Sequence, residues 1–70
     1  MKILIVESCL VEGEKKRRLR KYCYKSKENN LFKAIMDLEN NFDESSIVWS
    51  NDDFDGECLD SKVIKYKALS

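Results

Sequence analysis

Ile3-Leu4-Ile5-Val6-Glu7, Gly13-Glu14 and Arg20-Lys21-Tyr22-Cys23-Tyr24 are the decisive pieces of one stretch, residues 3 to 24, and the way they pair determines the fold. Ile3 to Val6 is an unbroken apolar run rich in β-branched side chains, the pattern of a central strand covered on both faces. A type II′ turn at Gly13-Glu14 sets Glu12 opposite Lys15, Glu7 opposite Arg20, Ile5 opposite Tyr22 and Ile3 opposite Tyr24. One register thus yields two opposite-charge pairs and two aliphatic–aromatic pairs, each worth ~0.2–1 kcal/mol. The competing reading makes residues 10 to 22 helical. Glu14 to Tyr22 is built from strong helix formers, but its apolar positions are only Leu19, Tyr22 and Cys23, and Gly13 sits near its start. So thin a buried face favours the hairpin.

Beyond the hairpin, Leu31, Ile35, Leu38 and Phe42, with Ala34 beside them, form a single stripe at helical spacing. The expected helix runs from about residue 27 to 41, with Ser26 as N-cap, Glu28 at the positive end of the dipole and Asn40-Asn41 as a left-handed exit. Ile47-Val48-Trp49 reads as a short strand with Ile47 and Trp49 on one face and Trp49 in the core. Val63 to Leu69 alternates, with Ile64, Tyr66 and Ala68 opposite Lys65 and Lys67, and reads as a final strand. Asn51 to Asp60, with five carboxylates and Gly56, is expected as a surface loop. The result is an α+β fold over residues 1–70, a single β-β-α-β-β domain with a mostly antiparallel sheet and one helix packed on one face.

Composition narrows the chemistry. The chain has 70 residues, 43% hydrophobic and 37% charged, with two glycines and no proline, which describes one folded unit without a linker. Three cysteines, Cys9, Cys23 and Cys58, give neither a disulfide framework nor metal-knuckle spacing and read as buried thiols. There is no histidine, so the usual imidazole base, nucleophile partner and metal ligand are missing. The reading is a non-enzymatic protein with no cofactor. The apolar run at the start is far too short for a signal peptide or a membrane span, and a soluble cytoplasmic protein is expected.

The formal net charge is zero, yet residues 1 to 35 hold ten Lys/Arg against four Asp/Glu, and residues 36 to 70 hold three against nine. Segregated charge orients a protein toward a partner without any pocket. Two segments concentrate it. Lys15, Lys16, Arg17, Arg18, Arg20 and Lys21, followed by Tyr22, Tyr24, Lys25 and Lys27, form a basic block with aromatics that could stack on unpaired bases. Asp52, Asp53, Asp55 and Glu57 surround Phe54, an aromatic badly placed for burial and well placed to anchor an interface or to fold back on the sheet.

Asn51-Asp52-Asp53-Phe54-Asp55-Gly56 also opens like a calcium-binding EF-hand loop, although its twelfth position is Lys62 and not glutamate. Ile3-Leu4-Ile5-Val6-Glu7, together with Ile47 to Glu57, resembles the two motif halves of TOPRIM domains, found in topoisomerases, primases and small nucleases. That resemblance implies a reduced metal-dependent site in which Glu7 is the general acid or base and Asp53 holds Mg²⁺; it also requires a helix over residues 10 to 22. Asn51 stands where the family places its first metal aspartate.

The functional expectation is a small binding or regulatory protein, an inhibitor or adaptor of the kind viruses among others encode. It would dock on a larger, nucleic-acid-handling protein through Asp52, Asp53, Phe54, Asp55 and Glu57, through Lys15, Lys16, Arg17, Arg18, Arg20 and Lys21, or through both. The alternatives are nucleic-acid binding through residues 15–27 and the TOPRIM-like site; no membrane role is expected.

Overall fold

Strand β1 (Lys2–Val11) carries Ile3, Ile5, Glu7, Cys9 and Val11 on one face, all of them buried, and Leu4, Ser8 and Leu10, only half-buried, on the other. It pairs antiparallel with β2 (Arg17–Lys25) in the register expected from sequence, Ile3 against Tyr24, Ile5 against Tyr22 and Glu7 against Arg20. The computed structural model describes residues 1–69. Helix α1 (Leu31–Asn40) follows, then a single 3₁₀ turn, β3 (Ile47–Asp52) and β4 (Cys58–Ala68). All pairings are antiparallel and the sheet order is β3-β2-β1-β4, an α+β architecture in which β1 and β2 are central.

The helix covers one end of one face. Ile3, Ile5, Tyr24, Ala34 and Leu38 form the core, with Leu31, Ile35, Ile47 and Tyr66 packed around them. Tyr24 also ties down the chain after the helix: its hydroxyl accepts from the Asp43 amide at 3.1 Å, and its ring stacks on Phe42 with centroids 5.7 Å apart.

The hairpin connection departs from the expected two-residue turn. The Glu14 amide donates to the Val11 carbonyl at 3.0 Å, so Gly13, at φ +82°, occupies the third position of the turn, and residues 12 to 16 form the loop. Glu12 and Lys15 are not partners, because the Glu12 amide donates instead to Glu57 O at 2.9 Å.

The helix also begins later than expected. The Met1 ammonium donates to the carbonyls of Ser26 at 2.7 Å and Glu28 at 2.8 Å, which holds 26–29 as a cradle, and Asn30 becomes the N-cap by accepting from the Phe32 and Lys33 amides. Ser26 is buried and donates to Asp37 at 2.8 Å, joining the end of β2 to the helix. Asn41 closes the helix at φ −133°, not in the left-handed region.

The acidic loop is shorter than expected, spanning only residues 53 to 57, because both flanks are absorbed into strands. It crosses the hairpin end to carry the chain from one sheet edge to the other. Gly56 makes that crossing fit: a Cβ there would lie 2.6 Å from Val11 Cγ1 and 3.3 Å from Glu12 O. Gly56→Ala should therefore lower stability by about 1–3 kcal/mol through overpacking, read as a drop in thermal midpoint.

Candidate functional site: the open face of the sheet

Among the described residues, the side of the sheet away from α1 has no second layer. Strand alternation and register lay out its side chains in rows running from β3 to β4: Trp49, Cys23, Leu4, Lys67; then Asn51, Lys21, Val6, Lys65; then Leu19, Ser8, Lys62; then Arg17, Leu10, Asp60. Lys25 and Lys2 pair at the end of the same face. Leu4, Val6, Ser8 and Leu10 of β1 thus run between β2 residues that include Lys21 and Arg17 and β4 residues that include Lys67, Lys65 and Lys62, with Val6 flanked by lysine on both sides. Among the described strand residues, Asp60 is the one carboxylate in these rows, and it is ion-paired with Arg17.

Two details show that this face is organised. Val6 is 6% exposed and Cys23 1% although nothing is layered above them. Val6 lies between Lys21 and Lys65 in register, and lysine stems laid along a sheet shield apolar side chains while their ammonium groups stay in water. A β-bulge in β4 sets the phase of the third lysine: Val6 pairs with Lys65 but Glu7 with Val63, so Ile64 is the extra residue and Lys62 joins Lys65 and Lys67 on one face.

Trp49 belongs to this face and not to the core. A bulge at Val48 pairs Ile47 with Tyr24 but Trp49 with Cys23, putting Ile47 toward the helix and Trp49, 44% exposed, on the open side. The expectation that Ile47 and Trp49 share a face fails for that reason. The expectation that β1 is covered on both faces fails as well, since the described residues supply only one cover.

The sequence's basic block is divided by strand alternation. Arg17 and Lys21 face the open side; Arg18 and Arg20 face the helix side and are neutralised there, Arg18 by Glu14 at 2.8 Å and Asp53 at 3.9 Å, Arg20 by Glu7 at 3.3 Å. Lys15 and Lys16 are exposed in the hairpin loop. Of the acidic segment, Asp52 stands opposite Arg20, Asp53, Asp55 and Glu57 are exposed, and Phe54 is half-buried. The two segments therefore meet and partly cancel. Lys62, Lys65 and Lys67 were not among the expected binding residues; the alternation of 64 to 68 signalled two of them, and the bulge that adds the third leaves no sequence signature.

Glu7 and Asp53 are held by different arginines, Arg20 and Arg18, and residues 17–25 form a strand, so the helix that the TOPRIM resemblance requires is not formed. Among the described residues no three carboxylate or thiol groups converge as a cation site would need. On the helix side Glu7, Arg20, Tyr22, Phe42, Ile47, Ser50 and Asp52 line a shallow cleft of about 400 Å³. Burial, reinforced by the Glu7 carboxylate, pushes the Tyr22 hydroxyl up to about 12, and burial beside the Cys58 thiol pushes Cys9 up to about 11. Both groups lose their protons more readily when unfolded, so the stability they share is intact below pH 9 and falls as pH rises toward 12. Melting curves across that range should show the decline, and Tyr22→Phe should flatten its upper part.

Comparison with protein-family models, curated proteins and solved structures finds no match to this chain. Among the described residues no helix is long and apolar enough to cross a membrane.

Proposed function

We propose that this chain is a small non-catalytic binding protein, an adaptor or inhibitor, that docks on an anionic surface of a larger protein through the open face of its sheet. One observation carries the reading: β1 has the apolar run of a strand covered twice, and the described residues layer it once, on a sheet whose other face carries Lys21, Lys62, Lys65 and Lys67. Lysines so grouped define where a partner's carboxylates sit and suppress wrong partners, while the half-exposed Trp49 and Leu19 supply contact area. On this proposal the recognition surface comprises Lys21, Lys62, Lys65, Lys67 and Trp49, and not the acidic loop.

The test uses tagged protein as bait. A partner recovered by the wild type should be lost with Lys21→Glu/Lys65→Glu and retained with Asp53→Lys/Asp55→Lys. The reverse pattern would move the interface to the loop and overturn the proposal. A second reading, single-stranded nucleic acid on the same face, is favoured by Trp49 beside the cation rows. It predicts affinity for oligo(dT) that falls steeply and log-linearly with salt.

A further inference from the structure

We infer that Cys9 and Cys58 are a redox-active pair, closing to an intrachain disulfide when a low-molecular-weight disulfide such as oxidised glutathione reacts with the protein. This chemistry is independent of the docking surface, which lies on the other side of the sheet. Cys58 stands opposite Val11 and Cys9 opposite Ser61, so Cys9, Val11 and Cys58 all lie on the helix side at the hairpin end. In a regular ladder that diagonal leaves Cβ atoms about 7 Å apart, too far for a disulfide. Here Leu59 is an extra residue between Cys58 and Asp60, and a bulge bends its strand and increases the local twist. The side chains meet: the Cys9 S–H donates to Cys58 Sγ, and the Cys58 S–H donates onward to the Asp60 carbonyl at 3.4 Å.

Exposure assigns the order of events. Cys9 is fully buried and burial holds its proton in place, whereas Cys58 is half-buried and reachable from solvent. The Cys58 thiolate attacks one sulfur of the oxidant, whose S–S bond breaks and whose other half leaves as a thiolate. Cys9 then gives its proton to water and its sulfur attacks Cys58 Sγ, forming the Cys9–Cys58 bond and expelling the second thiolate; both leaving groups take up protons. Two protein thiols are oxidised and one small disulfide is reduced to two thiols. Cys23 takes no part, because it pairs with Leu4 on the open face and the sheet stands between it and the other two. The bond ties the start of edge strand β4, and with it the loop of residues 53 to 57, to central β1, and it closes a loop of about fifty residues in the unfolded chain.

The test incubates the fully reduced protein with oxidised glutathione, unfolds it in urea with iodoacetamide and maps tryptic peptides by mass spectrometry. The expected product is a monomer lighter by two hydrogens, in which peptide 3–15 is joined to peptide 34–62 and Cys23 alone is alkylated. Its thermal midpoint should lie about 10 °C or more above that of the reduced protein, and reductant should reverse the rise. Cys58→Ser should take up no glutathione, Cys9→Ala should stop at the mixed disulfide on Cys58, and Cys23→Ala should close the bond as the wild type does. The peptide map of the wild type decides the matter even if a core variant fails to fold. Wild-type protein that keeps glutathione on Cys58, dimerises through Cys58 or leaves all three thiols open to alkylation would overturn the pair.

Discussion

Ile5→Ala should leave the protein largely unfolded at 37 °C. Ile5 is fully buried at the centre of β1, against Tyr22 on β2 and Tyr66 on β4, and it belongs to the core that α1 covers. Removing three carbons from such a site typically costs about 2–5 kcal/mol, transfer and cavity contributions together. A domain of this size has a single-core stability of about 3–5 kcal/mol, so the loss takes most of the margin. Urea melts followed by far-ultraviolet circular dichroism supply the number. Ile64→Ala is the control: Ile64 is 55% exposed at the β4 bulge and its truncation should shift the midpoint little. Equal effects at the two positions would mean that the core is not where the helix meets the sheet.

Arg20→Ala should be the other large loss, at about 3 kcal/mol, since it strips the counter-charge from Glu7, which is 7% exposed. The penalty comes from stranding the carboxylate and not from the worth of the pair. Exchanging both partners for apolar residues of similar volume, Glu7→Leu with Arg20→Met, should therefore recover most of the stability that Arg20→Ala removes. The double variant measured against the two single ones gives the coupling. If Arg20→Ala proves neutral, Glu7 is solvated in the folded protein and its role as half of a structural pair is wrong.

What could be read in advance follows a physical division. The β1–β2 register was legible because charges and apolar–aromatic partners agree on it within one short loop, with Glu7 and Arg20, Ile5 and Tyr22 all satisfied at once. The stripe of Leu31, Ile35 and Leu38 located the helix for the same reason. Its start was not legible, because Asn30 becomes the cap only once the Met1 ammonium has claimed the carbonyls of Ser26 and Glu28, a contact between distant parts of the chain. The site was half legible. Alternation assigns Lys21 opposite Tyr22 and Lys65 opposite Tyr66, but single-residue bulges at Val48 and Ile64 decide the faces of Trp49 and Lys62, and a bulge has no composition of its own. The separation of charge by halves of the chain is not kept in the fold, since antiparallel pairing sets Asp52 opposite Arg20 and brings Asp53 to Arg18 and Asp60 to Arg17.

The bulge at Ile64 makes β4 sensitive to counting as much as to chemistry. Were Ile64 taken into the ladder, everything from Cys58 to Val63 would turn to the opposite face, sending Lys62 to the helix side and bringing Ser61 and Val63 outward, whereas deleting Ile64 would leave the pairs Val6–Lys65, Glu7–Val63 and Ser8–Lys62 and their faces unchanged. The electrostatic pattern of the sheet edge thus depends on one residue standing outside the pairing, with every side chain unaltered.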